Sequence, residues 1–269
     1  MEIEDLYHSI SPRYPELVGQ VAVVTGAAQG IGQGIAVRLV REGMRVVVAD
    51  KNQELLASTA AALRQLGTKV FAFQGDLSQF DTIKQLFDKT TETFKTVHVL
   101  VNNAADLRRR RLLDEHQALL EHQLANNIYG PYLCSFQAAK VMQAAGRGNI
   151  IHISSVGALR AHHKGLPYDV TKGAIDAMTR AMAIDLAEYN IRVNAIGPGA
   201  TRTYRTPSDD HPSVQDMISR IPLHRYGTVS DISSLAAFLA SSEASYITGQ
   251  VIYVDGGITA QLSPPGQAL

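Results

Sequence analysis

Short runs of small and β-branched apolar residues recur along the chain, each separated from the next by a longer stretch of helical periodicity. The runs occupy residues 21–25, 46–49, 70–73, 97–101, 150–153, 191–195 and 251–254. Several are unbroken apolar strings, such as Val46-Val47-Val48-Ala49, without a polar residue at every second place. Strands of that kind are covered on both faces, and strand–helix alternation joins parallel strands through helical crossovers. The pattern predicts helices over residues 31–42, 53–66, 81–94, 113–145, 168–189 and 231–241. Gly43 and Gly67 stand where the first two helices would end, and Asn52 offers a side-chain cap for the second. The expectation is an α/β chain whose sheet of about seven mostly parallel strands carries helices on both faces.

With 269 residues and 45% hydrophobic content, one core accommodates the chain, and no linker or internal repeat divides it. Residues 1–18 read as a polar extension, 19–262 as the single folded domain and 263–269, holding Pro264, Pro265 and Gly266, as a tail. The polar stretch 201–222, with Pro207 and Pro212, reads as a long loop with one short helix, of the kind that covers a ligand. Basic and acidic residues balance at 25 each, which removes the charge footprint of a nucleic-acid binder. No apolar run approaches the ~18 residues of a membrane span. Cys134 is the lone cysteine, and the N-terminus lacks an apolar signal segment, so the expected location is the cytoplasm.

Gly26, Gly30 and Gly32 lie between the first strand and first helix, in Thr25-Gly-Ala-Ala-Gln29-Gly-Ile31-Gly32. Glycines there allow a tight turn and bring backbone N–H groups, including those of Gln29 and Ile31, against a diphosphate at a helix N-terminus. Asp50 ends the second strand, where a carboxylate accepts from a ribose diol and repels a 2′-phosphate. That favours NAD over NADP; Lys51 is the counter-argument, and Gln29 adds no positive charge. Asp76-Leu77 and Asn103 follow the third and fourth strands, at the sheet edge where such folds bind ligands. Asp76 suits an adenine amino group and Asn103 a close pass by the cofactor, although Asx residues also simply make turns.

Tyr168 and Lys172 share a face at the start of a helix, and Ser155 ends a strand thirteen residues before Tyr168. An ammonium beside a phenol stabilises phenolate, so Tyr168 becomes a general base for an alcohol or acid for a ketone. With the glycine turn, Asn102-Asn103-Ala104-Ala105, Pro198-Gly199 and the closing Val254-Asp255-Gly256-Gly257, the chain resembles the short-chain dehydrogenase/reductase family from Gly19 to Gly257. The resemblance implies a Rossmann-type doubly wound fold and an NAD(H)-dependent oxidoreductase moving hydride between nicotinamide and a secondary alcohol or ketone. It implies Tyr168 as acid/base, Lys172 on the ribose, Ser155 on the substrate oxygen and Asn127 in a water-linked relay. Thr203 and Thr201 would touch the cofactor, and a homotetramer or dimer would form through the two long helices. Ala105 replaces a usual glycine, and His98 stands where an acid is common.

Pro131 cannot donate to the carbonyl of Asn127 four residues earlier, which predicts a kink or bulge there unless a helix simply ends at Gly130-Pro131. Arg108 to Arg111, Arg160, His162, His163, Lys164, Arg202 and Arg205 cluster in loops expected around the pocket. They suggest an anionic substrate or else a solvated face; a polyol is the other substrate class weighed. No metal site is expected, because adjacent His162 and His163 lack an accompanying acid or cysteine cluster. Two rival readings are a non-catalytic NAD(H)-sensing or scaffold protein and an epimerase or dehydratase with tightly held cofactor.

Overall fold

In a computed structural model, which describes residues 2–114, 117–264 and 266, the apolar runs become seven strands. These are β1 (Val21–Thr25), β2 (Arg45–Asp50), β3 (Val70–Gln74), β4 (Val99–Asn102), β5 (Gly148–Ile153), β6 (Ile191–Pro198) and β7 (Val251–Val254). Between them run α1 (Ile3–Ser9), α2 (Gly30–Arg41), α3 (Gln53–Gln65), α4 (Phe80–Phe94) and α5 (Gln117–Leu124). The later helices are α6 (Gly130–Ala145), α7 (Tyr168–Leu186), α8 (Pro212–Arg220) and α9 (Val229–Ala240). The sheet is wholly parallel, in the order β3-β2-β1-β4-β5-β6-β7. The chain runs outward from β1 to β3 and then returns to lay β4 against the other side of β1, so the winding reverses at that pair.

The sheet separates two apolar layers. Val24, Val46, Val48, Ile151 and Ile196 face α1, α2, α3 and α9, while Val23, Val47, Leu100, Ile150 and Val193 face α4, α6 and α7. Alternate residues of each strand therefore enter opposite layers, which is why the strands carry no polar alternation. Asn52 caps α3 as expected, its side chain accepting from the Leu55 N–H at 3.1 Å.

Two elements differ from the sequence reading. The polar extension is docked on the domain over residues 2–18: Leu6, Ile10, Tyr14 and Leu17 are buried in the first apolar layer. Buried Glu42 ties this segment down, accepting from the Arg13 and Tyr14 N–H groups at 2.8 and 3.0 Å and from Arg38 Nε at 2.8 Å. The helix expected over 113–145 is broken. Leu113 and Asp114 lie in a turn, α5 follows, and a π turn over Ala125–Tyr129 separates it from α6. The Gly130 N–H reaches Ala125, five residues back, next to the place where Pro131 has no N–H to give Asn127. Glu115 and His116 of that predicted helix lie outside the described residues, as do 265 and 267–269 of the predicted tail.

His152, fully buried on β5, pins α6 and α7 to the sheet. Its Nδ1 lies 2.9 Å from Thr179 Oγ1 and its Nε2 3.2 Å from Ser135 Oγ. Burial, assisted by the Lys172 charge, pulls its pKa down to about 3 from 6.5. Between those limits the unfolded chain binds a proton that the folded chain refuses, so stability present above pH 6.5 is lost as pH falls towards 3. The expected loss is about 1.4 kcal/mol per pH unit from this residue. Urea unfolding between pH 6.5 and 4.5 checks it, and His152→Gln should remove about one proton's worth of that slope.

Candidate functional site

The reversal between β1 and β4 opens a crevice at the carboxyl edge of the sheet, and the glycine turn fills its floor. Gly26 and Gly30 have φ of +62° and +63°, a backbone region that side chains disfavour. Asn103, just past β4, clamps the turn: its Nδ2 donates to the carbonyls of Thr25 and Gly26 at 3.0 and 2.9 Å. Thr25 returns the contact, its hydroxyl oxygen accepting from the N–H groups of Asn103 and Ala104 at 3.0 and 3.1 Å. A Cβ on Gly32 would lie 2.3 Å from the Gly26 carbonyl oxygen and 2.4 Å from Asn103 Nδ2. The first turn of α2 can therefore approach β4 only as glycine.

This cradle fits a dinucleotide. No side chain caps α2 at Gln29, which leaves first-turn N–H groups such as that of Ile31 available to an anion. Asp50 reaches across from β2, accepting from the Ala28 and Asn52 N–H groups at 3.1 and 3.0 Å. That fixes a carboxylate beside the turn between β1 and α2. Asp76 accepts from the Ser78 N–H at 3.0 Å in an Asx turn, beside Leu77, whose carbonyl abuts Gly130. Thr201 pairs with Gly227 and donates to the Gly199 carbonyl at 3.1 Å. Thr203 lies above Gly30, as does Tyr204, whose hydroxyl accepts from Gln29 Nε2 at 2.8 Å. The sequence analysis missed Tyr204; its place five residues past Gly199 was the only signal.

The residues expected to handle the proton line the same edge two strands further on. Ser155 follows β5 and its Oγ accepts from the Gly157 N–H at 3.0 Å. Tyr168 opens α7 and is buried, with its hydroxyl close enough to Ser155 to feel that side chain. Lys172, one turn along α7, donates from Nζ to the Ile153 carbonyl at 2.7 Å and lies 5.6 Å from the Tyr168 ring centre. Asn127, in the π turn, brackets the Asp106 backbone, accepting its N–H at 2.7 Å and donating to its carbonyl at 2.9 Å. Its amide also donates to Thr171 Oγ1 at 3.1 Å.

The electrostatics depart from the expectation of a lysine-acidified phenol. Burial dominates at Tyr168 and raises its pKa, opposed by the Ser155 hydroxyl and the Arg109 charge. Burial likewise draws Lys172 down to about 8, with the Asp176 carboxylate pulling the other way. Asp176, a further turn along α7, accepts from Ser154 Oγ and from the Tyr253 hydroxyl. Its spacing from Lys172 was legible in the sequence but its burial was not.

The expected cationic surface is partly neutralised. Arg108 closes on Asp106 and Arg202 on Asp209. His162 Nδ1 meets Asp169 Oδ1 at 2.8 Å, so the acid that the sequence left unassigned orients one of the paired histidines. Among the described residues no cluster of three potential ligands could hold a metal.

Gly32→Ala should cost about 1–3 kcal/mol and abolish NADH binding, read by urea unfolding and fluorescence titration. Gly173→Ala, where a Cβ on α7 would meet nothing within 4 Å, is the matched control and should be neutral or slightly stabilising.

A family profile described as enoyl-(acyl carrier protein) reductase matches residues 26–259. The chain is 34% identical to glucose 1-dehydrogenase 2 of Bacillus subtilis, covering 91% of this chain and 97% of that one. A putative short-chain alcohol dehydrogenase from Sinorhizobium meliloti superposes with a TM-score of 0.87 at 35% identity, covering 91% of this chain and 98% of that one. A 7α-hydroxysteroid dehydrogenase solved with NADH and 7-oxo glycochenodeoxycholic acid gives 0.85 at 33% identity, covering 90% and 94%. Solved structures of this fold carry NADH or NADPH. With the glycine cradle and the profile match on one continuous stretch, the chain belongs to the short-chain dehydrogenase/reductase family of nicotinamide-dependent oxidoreductases.

Proposed function

We propose that this protein is an NAD(H)-dependent dehydrogenase or reductase that interconverts a secondary alcohol and its ketone. The observation that carries the reading is the gathering of buried Ser155, Tyr168 and Lys172 at the carboxyl edge, on the same rim as the uncapped N-terminus of α2. A nicotinamide bound there supplies the hydride acceptor or donor. Ser155 holds the substrate oxygen. Tyr168 gives its hydroxyl proton to a ketone oxygen, or receives one from an alcohol.

Burial keeps the phenol protonated, which suits the acid role, and Ser155 and Arg109 offset part of that effect. Lys172 carries its charge below about pH 8, which suits a contact to a ribose diol and a positive field behind Tyr168. Asn127 holds the Asp106 loop with its side chain, and its backbone carbonyl has no donor in Pro131, so that carbonyl is the group for a relay water.

Asp50 supports NAD over NADP, because its carboxylate is fixed by two backbone N–H groups where a 2′-phosphate would need space and positive charge. The surrounding loops support a polyol or an anionic alcohol as substrate. Exposed Tyr132 and Phe136 on α6 and Val170 and Ile184 on α7 support a homodimer or homotetramer through those helices.

Tyr168→Phe should lower turnover by about 10²–10⁴-fold while NADH still binds; a sensing or scaffold protein would lose nothing. A screen of secondary alcohols with NAD beside NADP should favour NAD by at least about 100-fold in kcat/KM. Asp50→Asn should narrow that gap by about tenfold; equal use of both cofactors by the native protein would remove the NAD assignment.

A further inference from the structure

Arg109 occupies a place that the reaction outlined above does not explain. Its guanidinium carbon lies 5.0 Å from the centre of the Tyr168 ring. Arg109 is exposed, and among the described residues it has no ion-pair partner, whereas neighbouring Arg108 is closed on Asp106 and Arg202 on Asp209. A guanidinium over an aromatic face keeps its planar fork of N–H donors open at the outer edge, and that fork matches a carboxylate.

The placement is built from three sides. The Arg110 N–H donates to the Leu166 carbonyl in an isolated antiparallel bridge, which fastens the loop after β4 to the loop before Tyr168. Gln123, buried on α5, donates to the Arg108 and Asp106 carbonyls at 2.7 and 3.2 Å, and Asn127 holds Asp106 from behind. The side chain itself is steadied by His162, whose Nε2 lies 3.5 Å from Arg109 Nη2.

His162 is braced in turn by Asp169. The carboxylate takes the ring at 2.8 Å and the His162 backbone N–H at 2.7 Å. With Nδ1–H on Asp169, the neutral ring presents Nε2 as an acceptor towards the guanidinium. Space for that carboxylate is cleared by two glycines: a Cβ on Gly157 would lie 2.3 Å from Asp169 Oδ1, and one on Gly165 2.0 Å from Oδ2. Incidental surface arginines do not have their supporting acid and histidine accommodated in this way.

Given the dehydrogenase reading of the site, we propose that Arg109 binds a carboxylate on the substrate beside the oxygen that Tyr168 and Ser155 address, so that the substrate is a hydroxy acid or oxo acid. His162 and Asp169 act as positioning residues for Arg109. A phosphate is less suited, because one guanidinium fork matches the two oxygens of a carboxylate, while Arg108 and Arg202 are already closed on aspartates.

The test compares hydroxy acids of three to six carbons with their neutral amides, D-gluconate against D-gluconamide among them. Turnover with NAD and calorimetric binding to the NADH-loaded protein are both measured. The native protein should prefer at least one acid over its amide by about 30-fold or more, as expected for a charge-assisted bidentate contact. Arg109→Gln should erase that ratio and Arg109→Lys restore part of it. His162→Ala should raise KM for the acid more than it lowers kcat, with His162→Asn milder.

Two outcomes overturn the assignment: no acid preferred in either measurement, or Arg109→Gln lowering acid and amide in parallel, as a purely structural or phenol-tuning role would. Failure of the dehydrogenase reading is separate, since it would appear as no change in nicotinamide absorbance with any alcohol, charged or neutral.

Discussion

One side-chain amide organises the ligand edge of this fold. Asn103 reaches from the end of β4 to the carbonyls that end β1, and Thr25 answers with its hydroxyl. The two strands flank the reversal of the winding, where their connections leave on opposite sides and a crevice must open. Without the amide, the two exposed carbonyls of the turn would need water and the first turn of α2 would lose its bearing against β4. The small size of Gly26 and Gly32 is the steric counterpart of that contact. Both glycines exist to let an amide and a backbone occupy space that a methyl group would fill.

Tyr168 and Lys172 are arranged around a different constraint, which is burial. Tyr168 and Lys172 are each nearly withdrawn from solvent, and burial moves them in opposite directions, the phenol upward and the ammonium downward. Each shift favours the neutral form. Partners oppose it separately: Ser155 and Arg109 at Tyr168, and Asp176 at Lys172. Burial thus opposes the charged form of both groups, and a neighbouring hydroxyl and neighbouring charges offset part of that effect.

Much of this was legible in the chain before any coordinates. Continuous Val and Ile runs announced strands buried on both faces, and the glycine spacing located the cofactor cradle because it depends on backbone alone. Pro131 announced the break at Asn127 for the same reason, since a missing N–H is a local property. What stayed hidden depended on which long side chains meet across loops. Nothing in the sequence marked Asp169, because its place depends on the room that Gly157 and Gly165 leave for its carboxylate. Arg109 was indistinguishable from Arg108 in a run of four arginines, although one is neutralised and the other stacks on a tyrosine. The N-terminal segment misled by composition: its few apolar residues pack into the first apolar layer, and four buried side chains suffice to anchor it.

The π turn at Ala125–Tyr129 also separates two helical registers within one molecule. An extra residue in a helical turn rotates everything upstream by about 100° about the axis. Gln123 thereby points to the arginine-bearing loop, while α6, downstream, keeps its own register against the sheet. The π turn is therefore a joint: the segment carrying α5 takes its bearing from the arginine loop, and α6 takes its own from the sheet.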